Sequence, residues 1–249
     1  MKIFGNKRIL SAAIMLIVAD VLCMLVFSGC FRTDKGKEKK GGSTDKESQT
    51  EENKVEPNGI TVCIDPGHGG IDPGKVGVNN ALEKDINLAI ALMLREQLEA
   101  SGYEVIMTRE TDAGLYEEGE KSKKMADLKR RIALIEEKKP DIVIGIHQNS
   151  FTQESSKGAQ VFYYKESQDG ATLAGIMQEQ LKTELADGNS RQAKANDNYY
   201  MLLHTSSPMI IVECGFLSNS EEAEKLISVE YQQKLAEIIT HGIDTFFAP

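Results

Sequence analysis

From residue 59 onward the apolar positions follow two alternating periods. Short β-branched runs at residues 60–65, 104–108, 142–147, 159–164 and 209–213 predict strands. Between them lie stretches with apolar residues at helical spacing. In 82–101, Leu82, Ile86, Ile90, Met93 and Leu94 fall on one face, and Gly102 follows as a helix stop. Further helices are predicted over 128–138, ended by Pro140, and over 171–185 and 231–247. Asn219, with Glu222 three residues on, reads as an N-cap and its reciprocal glutamate, opening a short helix beyond the strand that ends at Glu213. Strands alternating with helices predict a single α/β domain, a mixed and mostly parallel sheet flanked by helices on both faces. No internal repeat interrupts it.

The pattern before residue 59 is different. Lys2, Lys7 and Arg8 precede an apolar run, residues 9–31, that Asp20 alone breaks with a charge. Such a segment is an export signal or a membrane anchor. Its length approaches the roughly 20 residues of a spanning helix, whereas Phe27-Ser28-Gly29-Cys30 resembles a lipoprotein lipobox with an unusual first residue. On one reading Cys30 is lipidated and becomes the new N-terminus; on the other, residues 1–31 stay as an anchor or are cut elsewhere. Both put the rest of the chain outside the cytoplasmic membrane, since the leading positive charges keep that end inside. Residues 32–58 are Lys, Glu, Ser, Thr and Gly with almost nothing apolar, and read as a flexible linker. The working domain is then 59–249.

Composition narrows the partners. With 38 acidic against 29 basic residues the chain carries a formal charge of −9, which argues against nucleic acid and against retention by charge on an anionic wall polymer. Cys23 and Cys30 belong to the N-terminal segment, which leaves Cys63 and Cys214 in strand-like stretches. They read as buried free thiols rather than a disulfide framework.

Candidate chemistry gathers at the strand ends, where open α/β sheets place their crevices. His68 follows the first strand in Asp65-Pro66-Gly67-His68-Gly69-Gly70, Glu83 opens the first long helix, and His147 and Glu213 end later strands. Two imidazoles and a carboxylate form a recurring ligand set for catalytic zinc. A second carboxylate off the metal would serve as general base. These residues lie far apart in sequence, so spacing alone leaves other readings open. Glu83 at a helix N-terminus would be favourable merely against the dipole, and Cys214 with a histidine would suit a cysteine hydrolase. Strand alternation turns Cys214 away from the face of Glu213. Asn149 suits either a substrate contact or a turn, and His204 and His241 lack a ligand-like setting.

Asp65-Pro-Gly-His68-Gly-Gly, Glu83, Ile146-His147-Gln148-Asn149-Ser150 and Glu213-Cys214-Gly215-Phe216-Leu217-Ser218-Asn219 resemble, in order and context, the motifs of the N-acetylmuramoyl-L-alanine amidases of family 3. The resemblance runs through nearly all of 59–247. It implies Zn2+ held by His68, Glu83 and His147, Glu213 as the catalytic residue, and peptidoglycan as substrate. The bond cut would be the amide between the lactyl group of N-acetylmuramic acid and L-alanine. Thr108-Arg109 with Asp112, and Leu128 with Arg131, also match family positions. The usual Ala-Asn after the latter is absent, so Arg131 receives no substrate role. Residues 196–203, the N-terminal segment and the lack of wall-binding repeats resemble the germination-specific amidases of spore formers. That implies a step before muramic δ-lactam formation in spore cortex. An activating protein partner, or a non-catalytic peptidoglycan-binding role, are the readings that remain beside it.

Overall fold

The computed structural model describes residues 56–249; the N-terminal segment and the linker up to residue 55 lie outside them. The elements run β1 (Thr61–Pro66), α1 (Glu83–Ala100), β2 (Glu104–Met107), α2 (Lys123–Lys138), β3 (Ile142–Asn149), β4 (Gln160–Tyr164), α3 (Gln168–Leu185), β5 (Lys194–Asn196), α4 (Tyr200–His204), β6 (Met209–Phe216), α5 (Ser220–Leu226) and α6 (Val229–Phe247). The six strands form one sheet in the order β2-β1-β3-β6-β4-β5. Its neighbours are parallel except β4, which runs antiparallel to β6. Among the described residues no helix is long and apolar enough to cross a membrane.

Period-two alternation decides which helix each strand residue meets. Val62, Ile64, Ile142, Ile144, Ile146, Ile210, Val212 and Cys214 pack with residues of α1, α3 and α6. Cys63, Val143, Met209 and Ile211 face the other way, onto Ile135 of α2 and Met201 and Leu202 of α4. The central strands β3 and β6 are buried on both faces, hence their nearly continuous apolar sequence. Each such Ile or Val contributes about 1.5–3 kcal/mol by leaving water.

The helix ends depart from expectation in instructive ways. Helix α2 begins at Lys123, five residues before the apolar periodicity, because its first turn is largely exposed and Ser122 makes no side-chain cap. Elements β5 and α4 are too short for a period to show. Asn219 does cap α5, accepting from the Glu222 amide at 3.0 Å. Glu222 does not reciprocate: its carboxylate accepts the amides of Gly158 and Phe216, each at 2.8 Å. Those amides sit in a loop and at a strand end, where nothing else would satisfy them.

Candidate metal centre

The face that β3 and β6 turn toward α2 and α4 carries Gly145, His147 and Asn149 on one strand and Ile211 and Glu213 on its neighbour. His147 and Glu213 are direct partners in the ladder. An extra residue on β6 just beyond them shifts the register, so Asn149 pairs with Phe216; such a bulge redirects side chains at the end of a strand. These ends, with the loop after β1, line a cleft of about 540 Å3 whose far wall is Asn198, Tyr199, Tyr200 and Met201. A smaller cavity of about 400 Å3 near Lys157 and Arg191 contains no histidine.

Three side chains converge in the cleft. The Glu83 Oε1 atom lies 3.2 Å from Nε2 of His68 and 3.0 Å from Nδ1 of His147. One ligand atom from each of the three lies within 4.8 Å of the others. The Glu83 carboxylate is anchored from behind, its Oε2 accepting the Lys75 amide at 2.7 Å and its Oε1 the Gln148 amide at 3.1 Å. Burial opposes its ionisation, but the two histidines outweigh that and hold its pKa well below the usual range.

The loop bearing His68 is held under some strain. His68 has a φ of 64°, a left-handed conformation that costs an L-residue about 1–2 kcal/mol. Two buried guanidiniums grip its backbone. Arg131 donates to the carbonyls of Pro66 at 2.7 Å and His68 at 2.6 Å, and Arg109 to those of Pro66 at 2.9 Å and Gly67 at 3.0 Å. Arg131 also pairs with Asp65 and Asp127, each at 2.8 Å. Arg131 thus acts on the backbone of the site. Arg131→Met is expected to cost about 3–5 kcal/mol, because it strands the Asp65 carboxylate in the interior without its partner. A urea titration reads this as a lower midpoint with an unchanged slope.

Glu213 is only 7% exposed, and its Oε2 is buried with no hydrogen-bond partner. Desolvation pushes its pKa up to about 7; Glu83 adds to this, while His147 and His68 pull the other way. A carboxyl poised near neutrality is what proton transfer at neutral pH needs. Tyr199 packs its ring 5.4 Å from that of Phe162. Burial and the charge of Glu213 push its hydroxyl up to about 12, so it stays protonated on the cleft wall. Asn149 lines the cleft, and its Oδ1 accepts the Ser150 amide at 2.8 Å. Cys63 and Cys214 are free and buried. Burial and Glu213 push the Cys214 thiol up to about 12, leaving no thiolate for a cysteine hydrolase. His241 pairs with Glu184 at 3.0 Å on the surface, and His204 stacks on Tyr200.

Sequence reasoning missed Asp72 and Lys124, which stand behind His68. The Asp72 carboxylate lies 3.0 Å from Nδ1 of His68 and 3.0 Å from Nζ of Lys124. An acid four residues after a loop histidine was the available signal.

The sequence pattern of the N-acetylmuramoyl-L-alanine amidase family, Amidase_3, matches residues 62–245. The chain belongs to that family. This amidase is 38% identical over 193 residues to the germination-specific N-acetylmuramoyl-L-alanine amidase of Bacillus subtilis, an alignment covering 76% of this chain and 81% of the relative. The CwlD amidase of Clostridioides difficile, solved in complex with the GerS lipoprotein, is similar at 42% identity and a TM-score of 0.73, over 75% of this chain and 98% of that one. The catalytic domain of CwlV from Bacillus (Paenibacillus) polymyxa is similar at 29% identity and a TM-score of 0.65, over 75% and 97%. The fold and the enzyme class expected from the motifs therefore hold.

Proposed function

We propose that this amidase is zinc-dependent, with His68, Glu83 and His147 as ligands and Glu213 as general base. It cleaves the amide joining the lactyl group of N-acetylmuramic acid to L-alanine. The observation that carries this reading is the convergence of the three donors beside a buried carboxylate with a free oxygen. Ligands about 2.0–2.1 Å from a tetrahedral zinc lie roughly 3.3 Å from one another, close to the 3.2 and 3.0 Å separations at Glu83. The donor set fits the metal.

Bound there, zinc supplies Lewis-acid polarisation of the scissile carbonyl and of water. The remaining work falls to this chain's own groups. Glu213 takes a proton from the attacking water and returns it to the leaving amine, for which its Oε2 is unengaged. Asn149 and Tyr199 line the same cleft, within reach of the substrate.

Likeness to a germination-specific amidase supports a role in spore cortex, ahead of muramic δ-lactam formation. The relative solved with a lipoprotein supports an activating protein partner. Residues 1–31 would deliver the domain outside the cytoplasmic membrane as a signal or anchor, and residues 32–58 would tether it.

The purified chain is expected to hold about one zinc, the stoichiometry of a three-ligand catalytic site, and to lose it on His68→Ala or His147→Ala. Incubated with purified cortex peptidoglycan, it is expected to expose new N-terminal L-alanine. Zinc retained in both variants would overturn the ligand assignment. No release from cortex, with release from vegetative wall, would overturn the cortex role.

A further inference from the structure

We infer that Asp72 is a positioning residue of this centre, fixing through Nδ1 of His68 the tautomer and ring angle that present Nε2 to the metal. The inference rests on the ligand set proposed above. It deepens that reading by assigning a residue outside the set.

The two nitrogens of His68 face different partners. Its Nε2 points to Glu83 Oε1 at 3.2 Å, and its Nδ1 to Asp72 at 3.0 Å. A neutral imidazole carries one N–H, and an ionised carboxylate can only accept. Both nitrogens thus face a carboxylate; once Nε2 is given to a cation beside Glu83, the single proton belongs on Nδ1, where Asp72 accepts it. Carboxylates that accept from the far nitrogen of a ligating histidine set ring orientation and raise ligand basicity.

Asp72 is itself held where this requires. Its backbone amide and carbonyl exchange hydrogen bonds with those of Gly69, at 3.1 and 3.0 Å, which closes a tight loop next to His68. Its Oδ1 accepts the Gly74 amide at 3.1 Å. The flanking amides of Gly70 and Ile71 donate to Asp112 at 2.8 Å and to the Tyr116 hydroxyl at 3.0 Å. The carboxylate has little freedom to swing away. His147 has no such carboxylate among the described residues: its Nδ1 meets Glu83, and its ring rests against Gly67. The two histidines are thus oriented by different means, one by a charged hydrogen bond and one by packing.

The test is zinc affinity of the full chain, measured against a competing chelator, together with the tautomer of His68 read from imidazole 15N shifts in the metal-free protein. Asp72→Ala is expected to weaken zinc about 10- to 100-fold and to move the His68 proton from Nδ1 toward Nε2, with the metal-free melting temperature little changed. Lys124→Met, which keeps the Asp72–His68 bond and removes only an exposed partner, is expected to change affinity by at most about fivefold. Should Asp72→Ala not fold, Asp72→Asn removes the charge at nearly constant shape, and the same two readouts apply. Zinc affinity within about twofold of the native chain, with the His68 proton still on Nδ1, would overturn the assignment. If the native chain takes up no zinc, the metal reading falls, and the tautomer comparison alone decides whether Asp72 sets the state of His68.

Discussion

Glu213→Gln is expected to lower turnover by about 10²- to 10⁴-fold, the usual share of general acid–base catalysis, while making the metal-free protein more stable above pH 7. Both effects have one cause. The folded protein raises the Glu213 pKa from 4.5 to about 7, chiefly by burial, a displacement worth about 3 kcal/mol. Below pH 4.5 the carboxyl is protonated in both folded and unfolded chains and contributes nothing to the balance. Between 4.5 and 7 the unfolded chain ionises while the folded chain resists, so stability declines as pH rises. Above 7 the penalty is complete. A glutamine carries no such penalty, so its melting temperature should exceed the native value by several degrees at pH 8 and match it near pH 4.

A bound divalent cation draws Glu213 toward ionisation, so the gain should be smaller in the zinc-loaded protein. Scanning calorimetry of both proteins at the two pH values, with and without chelator, reads the effect directly. Unaltered turnover would remove Glu213 from the mechanism. Equal melting temperatures at pH 8 would show that its burial carries no electrostatic cost. The expected pattern is the trade of stability for activity that a desolvated catalytic carboxylate embodies.

How far this site can be read from the sequence follows from the range over which each signal acts. Strand period two is local, and it places Glu213 on one face and Cys214 on the other; the structure puts Cys214 in the core with the α1, α3 and α6 helices. His147 and Glu213 are 66 residues apart in the chain but adjacent in the β3–β6 ladder, a pairing no local pattern reveals. The ordered motifs supply it through resemblance. Glu83 is harder still, since an acid at a helix start has an adequate explanation in the dipole alone. Only the turn after β1 brings it against both histidines. Asp72 and the two arginine clamps have no periodicity to mark them, because the loops they stabilise are irregular. Apolar spacing starts α2 five residues late for the related reason that its first turn buries little.

A second large effect is expected at Gly67. A Cβ there would lie 2.1 Å from Cε1, 2.3 Å from Nε2 and 2.7 Å from Nδ1 of His147, all inside van der Waals contact. The obstacle is steric, and neither partner can easily retreat. Gly67 follows β1 directly and donates its amide to the Ile146 carbonyl at 3.0 Å. His147 sits on β3, paired on one side with β1 and on the other with β6. The ring must therefore rotate about its own bonds, which carries Nδ1 away from Glu83 Oε1. Gly67→Ala is expected to lose zinc as His147→Ala does, and at least about 10²-fold in activity, the scale of a 1 Å misplacement at a reacting centre. The sheet core lies elsewhere, so far-ultraviolet circular dichroism should stay native.

A double-mutant cycle separates this mechanism from general damage. In the His147→Ala background the added methyl group has no ring to strike, so introducing Gly67→Ala should change zinc content and stability little, giving strong coupling between the two positions. Additive losses would mean that Gly67 matters for the path of its own backbone and not for the seat of the second histidine.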